Sequence, residues 1–218
     1  MKKSDQYEAP ITKQESAYRF LRRGIMEGRL RPGERMVIDH LAGDLKMSAI
    51  PVREAISRLA KEGLLEIRPH AGAIVSDVTP EAIREIFLTL ESLEQSACRL
   101  LDGHHRAAVL NELDRWADRM EGTVRCEEWL GYNRNFHLVI PEVCALSLLR
   151  SLMIRVGEEW ERLRLLRFSA SLAEDLKLAN REHREFIDLI AEGTLNEQLA
   201  WVSRHNQKSL ERYCSGLD

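Results

Sequence analysis

The fold of this chain is decided by residues 39–63, which read DHLAGDLKMSAIPVREAISRLAKEG. The stretch contains two short amphipathic segments joined by a tight turn, and in the second segment apolar residues recur at the i, i+3, i+4, i+7 spacing of one helix face. A hairpin with a glycine tip is predicted directly afterwards, over residues 66–75. Helix, turn, helix and hairpin in this order predict a winged helix-turn-helix, a fold that reads DNA.

The residues before this motif complete the predicted domain. Thr12 can cap a first helix over residues 12–28. Residues 36–38 are short enough for an edge strand that pairs with the wing, and Ser48 is the predicted N-cap of the second helix of the motif. We expect the winged domain to cover residues 10–77.

The rest of the chain shows almost no strand signal. Thr79 and Pro80 have the N-cap and first-turn chemistry of a new helix. Apolar residues then recur every three or four positions in about six segments: 83–101, 107–120, 129–140, 146–168, 172–190 and 195–213, with breaks at Gly103, Gly122, Pro141, Ser169 and Gly193. We therefore predict a mainly α protein in which an all-α antiparallel helical bundle, residues 78–215, follows the winged domain and carries effector binding and dimerisation.

Composition restricts the class of protein. The 218 residues are 44% hydrophobic and 31% charged, enough for a sizeable core, and no apolar run approaches the roughly 20 residues of a spanning helix. We expect a cytoplasmic protein without a membrane partner. Residues 1–80 carry 14 Lys and Arg against 11 Asp and Glu, although the whole chain has a net charge of −3. The positive surplus thus lies in the half predicted to approach DNA.

Candidate DNA contacts lie at the start of the second motif helix and in the hairpin. Ala49 and Arg53 lie on a stripe beside the core face, and Arg53 is the best candidate for a base or phosphate contact. Arg58 lies farther round the helix, where a salt bridge is the alternative. His70 could touch DNA or face water, and Gly72 suits a tight turn. The candidate DNA-binding set is Ser48, Ala49, Arg53, Arg58, His70 and Gly72.

Three histidines of the predicted bundle form a candidate metal site. Asn133 lies four residues before His137, so the two side chains project from one helix face, one turn apart. His183 and His205 belong to the last two predicted helices, and antiparallel packing could bring them level. Three imidazoles and one oxygen ligand would suit a divalent ion such as Zn²⁺ or Ni²⁺. Ordinary, partly buried histidines are the alternative.

Motifs in the first domain carry a family resemblance. The segments GRLRPGER at residues 28–35, SAIPVREAI at 48–56 and EGLL at 62–65 resemble the GntR family of bacterial transcription regulators. The resemblance implies a homodimer whose two winged domains read the halves of a near-palindromic operator in double-stranded DNA.

Motifs in the second domain extend this resemblance over nearly the whole chain. NRNFH at residues 133–137, Glu182-His183 and His205 resemble the helical ligand-sensing FCD domain of the FadR branch, VanR-like subgroup. The resemblance implies a repressor whose operator affinity is modulated by a small anionic carboxylate bound near a divalent metal, with activation as the alternative outcome. The implied metal ligands are Asn133, His137, His183 and His205.

The chain departs from the family pattern at three positions. Asn133 stands where the family usually has Asp, and because a neutral amide is a poorer ligand we expect weaker metal binding and a preference for an anionic effector. Ala49 follows Ser48 where arginine is usual, so we expect a different operator. Leu90 occupies the position of an arginine common in the first bundle helix, which leaves an effector-carboxylate clamp unassigned.

Two other functions are compatible with the histidines. In a metal-sensing regulator the ion itself would be the signal. A metal-dependent hydrolase would need a general base, and Glu182 is adjacent to His183 rather than one helical turn away, so we expect it to point elsewhere. We therefore predict that the protein is not an enzyme.

Overall fold

The computed structural model describes residues 11–69, 71–77, 79–167 and 172–214. The chain divides into two compact units, and the boundary between them in the sequence lies between residues 78 and 79. Each unit has a hydrophobic core of its own, and the two cores share no residue. The architecture is mainly α with one small sheet, which confirms the predicted fold class.

The first unit has the elements of a winged helix-turn-helix. They are α1 (Lys13–Met26), β1 (Arg35–Met36), α2 (Ile38–Asp44), α3 (Ala49–Lys61), β2 (Leu65–Arg68) and β3 (Gly72–Val75). The three strands form an antiparallel sheet in the order β1-β3-β2, so the hairpin of β2 and β3 is the predicted wing. The predicted edge strand exists and pairs with β3, but it ends at Met36 because Val37 is already the N-cap of α2.

Helix α3 is anchored by its apolar face. Val52, Ala55 and Leu59 are completely buried and pack in one core with residues of α1, including Leu21. Each large side chain buried in this way contributes roughly 1.5–3 kcal/mol. The opposite face of α3 is exposed, so the core holds the helix in place without using the side chains that face away from it.

The second unit contains seven helices among the residues that the structure describes. They are α4 (Pro80–Leu100), α5 (Arg106–Gly122), α6 (Cys126–His137), α7 (Val139–Val143), α8 (Ser147–Arg167), α9 (Leu172–Glu192) and α10 (Leu195–Cys214). As predicted, Thr79 caps α4: its hydroxyl oxygen accepts a hydrogen bond from the backbone N–H of Ala82 at 3.2 Å. The predicted break at Ser169 lies outside the described residues.

The sequence prediction of one helix over residues 129–140 was wrong in one respect. The chain breaks at Leu138, and Pro141 lies inside the short helix α7 rather than in a connection. The cause is steric, since a proline ring clashes with the carbonyl group four residues earlier, here that of His137. Helix α6 therefore ends at His137, and Pro141 takes a place in the first turn of a new helix, where its missing N–H is not needed.

The core of the second unit is rich in aromatic side chains. Phe136, Phe186 and Trp201 are almost completely buried, together with Leu113 and Ile190. Polar residues share this core, and they are described below. No helix in the described part of the chain is long and apolar enough to cross a membrane.

Candidate DNA-reading surface and candidate metal centre

The start of helix α3 presents several of the predicted DNA contacts. Ser48 has the extended backbone of an N-cap, but its side chain makes no capping hydrogen bond and is exposed. Ala49 is half-buried. Arg53 is exposed on the same helix and takes part in no ion pair recorded among the described residues. Its guanidinium is available for a phosphate or for the edge of a guanine.

Arg58 is held inside its own unit instead. Its guanidinium carbon lies 3.5 Å from the centre of the Tyr18 ring, and its Nη1 lies 2.9 Å from Glu15 Oε2. Its Nε also donates to Glu62 Oε1 at 3.3 Å, and the Tyr18 hydroxyl donates to the same carboxylate at 3.0 Å. These contacts join α1 to α3 and favour the salt-bridge alternative over a DNA contact for Arg58.

Strand β1, which pairs with the wing, carries a cation outside the predicted set of DNA contacts, Arg35. Gly72 begins β3 with a backbone φ of +81°, which agrees with the predicted turn role. A Cβ on Gly72 would lie 3.8 Å from Nε of Arg35, and Gly72 pairs with Arg68 next to the hairpin turn, so the exposed Arg35 side chain reaches toward the tip of the wing. An arginine in the strand that pairs with the wing was the available signal. His70 lies outside the described residues.

The structure brings together the three histidines predicted as metal ligands. His137 ends α6, while His183 lies on α9 and His205 on α10, and one ligand atom from each lies within 4.8 Å of the others. The ring centres are 5.4–5.5 Å apart in all three pairs. His183 is completely buried and His205 is 9% exposed. Three helices therefore converge on one cluster of imidazoles.

Two buried carboxylates orient this cluster. Glu94 on α4 lies 2.8 Å from Nδ1 of His137, and its other oxygen accepts a hydrogen bond from the Asn206 side chain at 2.7 Å. Glu182 lies 2.8 Å from Nδ1 of His205 and accepts a hydrogen bond from Lys208 at 3.0 Å. A ring that donates through Nδ1 keeps the lone pair of Nε2 for a metal.

Glu94 is not among the residues predicted from the sequence, and Glu182 is considered there only as a possible base. The expectation that Glu182 points away from the histidines was wrong, because the packing of α10 against α9 brings His205 of the cluster to within 2.8 Å of its carboxylate. Its two oxygens are engaged with the side chains of His205 and Lys208. Its position next to His183 was a usable signal. Nothing in the sequence marks Glu94, which comes from a different helix.

Burial and charge set the protonation of the cluster. Burial lowers the pKa of His205 in spite of its hydrogen bond with Glu182, which favours the neutral, metal-binding imidazole. Burial alone would raise the pKa of Glu94. The charge and hydrogen bond of His137 outweigh it, with help from Asn206, so the pKa of this carboxyl lies below its ordinary value.

Asn133 and Trp201 complete the surroundings of the histidines. Asn133 is 6% exposed and lies on α6 one turn before His137; its role as a ligand stays a prediction. The indole of Trp201 stacks on His205 with 4.7 Å between ring centres and 8° between ring planes. Packing of this kind restricts the imidazole to one orientation.

A small cavity lies beside His137 and Glu94. Its volume is about 20 Å³, and apolar groups line most of it, including Cys98, Phe136 and Trp201. A space of this size holds one water molecule rather than a carboxylate. Burial raises the pKa of the Cys98 thiol to about 12, so this cysteine is an inert buried thiol.

Fold and site together define a class of protein, a DNA-binding regulator with a separate helical domain. Residues 13–75 match the family described as bacterial regulatory proteins, gntR family, and residues 85–208 match the FCD domain. The chain therefore belongs to the GntR family and carries an FCD domain, as the motifs predicted. It is a transcriptional regulator that binds operator DNA and not an enzyme.

Named relatives agree with this assignment. The Nta operon transcriptional regulator of Aminobacter aminovorans is 29% identical over 185 residues, which cover 84% of this chain and 85% of the relative. The transcriptional repressor RspR of Escherichia coli strain K12 is 21% identical over 184 residues, 83% of this chain and 79% of the relative.

Solved structures support the fold. The E. coli protein McbR/YncC has a TM-score of 0.68 at 20% identity, with 95% of this chain and 100% of that chain covered. A GntR regulator from Rhodococcus sp. RHA1 has a TM-score of 0.66 at 19% identity, with 93% and 98% covered.

Proposed function

We propose that this regulator is a cytoplasmic homodimeric repressor whose operator affinity responds to a small carboxylate bound near a divalent metal in the FCD domain. His137, His183 and His205 would hold Zn²⁺ or Ni²⁺, with the Asn133 amide as an oxygen ligand. The observation that carries the proposal is the convergence of three imidazoles from three helices in a buried core.

The donor set fits such an ion. Imidazole nitrogen is a common ligand of Zn²⁺ and Ni²⁺, and histidine ligands usually donate their second ring N–H to a carboxylate. Glu94 and Glu182 supply that partner to two of the three rings. When bound, the metal would supply a Lewis acid with positions left open for an anionic oxygen.

The residues of the chain determine what can bind there. Glu94 and Glu182 orient the rings, and the surrounding aromatic side chains exclude water, which strengthens electrostatic attraction. Because Asn133 contributes no negative charge, the metal site would be more positive than one with an aspartate at this position, and it would attract a carboxylate more strongly. Such an effector changes operator affinity only if it binds the DNA-competent and DNA-incompetent states with different affinity.

A second candidate function is metal sensing. The cavity of about 20 Å³ beside His137 is too small for a carboxylate, so side chains must move before such an effector can enter. A metal ion without an organic effector would not require this cavity to enlarge. In this case the metal alone would change operator affinity.

One set of measurements tests the proposal and separates the candidates. Purified wild-type protein is analysed for metal content, and its affinity for DNA from beside its own gene is measured with and without metal and a panel of small carboxylates. We expect about one metal ion per chain, and a carboxylate that changes operator affinity about 5- to 150-fold only when metal is present.

Two variants provide the control. His183→Gln removes a ligand from the cluster, whereas His104→Gln changes an exposed histidine outside it. We expect only His183→Gln to lose the metal, with circular dichroism confirming that both variants are folded. A change in operator affinity caused by metal alone would favour the second candidate. Equal metal content in the two variants would overturn the assignment of the site.

A further inference from the structure

Ile50 is an exposed apolar residue in the first turn of helix α3. With 67% of its surface accessible, it is the most exposed large hydrophobic residue among the described residues of the first unit. It belongs neither to the core of that unit nor to the partly buried residues packed against it. The fold therefore does not explain this side chain.

Its position is more informative than its exposure. Single apolar residues on a protein surface are common and need no special reason. In a helix-turn-helix, however, residues at the N-terminal end of the recognition helix face the edges of the bases in the major groove. Ile50 is the second residue of α3, and Arg53 follows it by three positions on the exposed face.

The apolar side chain of Ile50 matches the chemistry of one base. The N-terminal end of α3 offers the hydroxyl of the N-cap Ser48 and the apolar side chains of Ala49 and Ile50, but no side-chain amide that could pair with adenine. The only apolar group on the major-groove edges of the bases is the C5-methyl group of thymine. Cytosine has only a hydrogen at C5 and presents an amino group where thymine has O4, and an apolar contact would leave this amino group without a hydrogen bond.

The backbone also prepares Ile50 for contact. Pro51 follows it and is buried, which fixes the chain at this point. A β-branched side chain in a helix has one strongly preferred χ1 rotamer. Little conformational freedom is therefore lost when Ile50 contacts a base, in contrast to a long, flexible side chain.

We infer that Ile50 is a specificity-determining residue that reads a thymine methyl group in each half of the operator. The inference rests on the DNA-binding function of the family and does not depend on the metal site or on an effector. Ala49 fits this role. It stands where the family usually has arginine, and without that long cationic side chain the first turn of α3 presents an apolar surface.

The test begins with sites selected from random double-stranded DNA by the full-length protein. Each thymine of the selected half-site is then replaced by uracil, which removes only the C5-methyl group. For wild-type protein we expect one thymine at which this change weakens binding about fourfold per half-site, the effect of one buried methyl-sized group. The variant Ile50→Ala should show no loss at this position, and Ile50→Val should retain most of it.

Ile67 supplies the matched control. It is 62% exposed on the wing strand β2, so Ile67→Ala removes an equally exposed isoleucine from the same unit. The thymine methyl group lies in the major groove, which the recognition helix reads. Because Ile67 lies on the wing and not on this helix, we expect Ile67→Ala to keep the full uracil effect.

The outcomes are distinguishable. If uracil is tolerated at every thymine of a selected site, or if Ile50→Ala keeps the fourfold effect, the role of Ile50 is refuted while DNA reading stands. If no sequence is selected at all, the chain does not bind DNA sequence-specifically, and the inference about Ile50 is refuted as well.

Discussion

Replacing Glu182 by glutamine should weaken metal binding without disturbing the fold. Glu182 is 5% exposed, and its Oε2 lies 2.8 Å from Nδ1 of His205. A glutamine has nearly the same shape, and its amide oxygen can still accept the hydrogen bond of the ring, whereas its NH2 group no longer accepts from the partly exposed Lys208. What is lost is the negative charge that makes the imidazole a stronger ligand.

The size of the effect follows from this geometry. Changes in the carboxylate partners of metal-binding histidines typically cost about 10- to 100-fold in metal affinity, which corresponds to about 1.4–2.7 kcal/mol. Because Glu182 orients one ring of three and the hydrogen bond can persist, we expect Glu182→Gln near the tenfold end. Glu182→Ala leaves Nδ1 of His205 without this acceptor and should lie nearer the hundredfold end.

The assay is a competition titration of Zn²⁺ between the metal-free protein and a chromophoric chelator. Glu185→Gln is the matched control, since Glu185 lies on the same helix and forms an exposed ion pair with Arg204 of α10. Thermal unfolding of the metal-free variants shows whether stability has changed. If Glu182→Gln and Glu185→Gln bind Zn²⁺ as tightly as the wild type, His205 is not oriented for metal binding by Glu182, and the reasoning is refuted.

Three further predictions concern other contacts. Asn133→Asp should tighten metal binding by about tenfold, because a carboxylate replaces a neutral oxygen ligand; an unchanged affinity in the same titration would remove Asn133 from the ligand set. Arg53→Ala should weaken operator binding about tenfold or more in a gel-shift assay, whereas Arg58→Ala should lower the unfolding temperature and leave operator affinity nearly unchanged; the reverse pattern would exchange their roles. The pKa values of His205 and Glu94 both lie below their ordinary values of 6.5 and 4.5, so the unfolded chain binds more protons and stability falls on acidification, first below 6.5 and again below 4.5. Circular dichroism melts of the metal-free protein against pH should show this fall, and a melting temperature that rises toward acid would contradict it.

The winged unit was predictable because its signals are local. The apolar stripe of α3 follows helical periodicity, and the cap at Thr12 needs only neighbouring residues. The break in the second unit was placed at Pro141 rather than Leu138, because the proline acts on a carbonyl four residues upstream and not on its own position.

The candidate metal site was predictable only in part. The spacing of Asn133 and His137 shows that they share a helix face, and the motifs identified His183 and His205 as their partners. The contact of Glu94 with His137 depends on how α4 packs against α6, which no spacing within one helix can reveal. The size of the neighbouring cavity is likewise a property of packing, because it depends on side chains from several helices.

Trp201 stacks on His205, so its fluorescence should respond to a change in charge at this imidazole. An indole responds to the electric field across its ring, and Trp201 lies almost parallel to the imidazole at 4.7 Å. A divalent cation captured by His205 would add two positive charges next to this chromophore. We therefore expect addition of Zn²⁺ to change the intrinsic tryptophan fluorescence of the unmodified regulator, if the proposed site binds the ion.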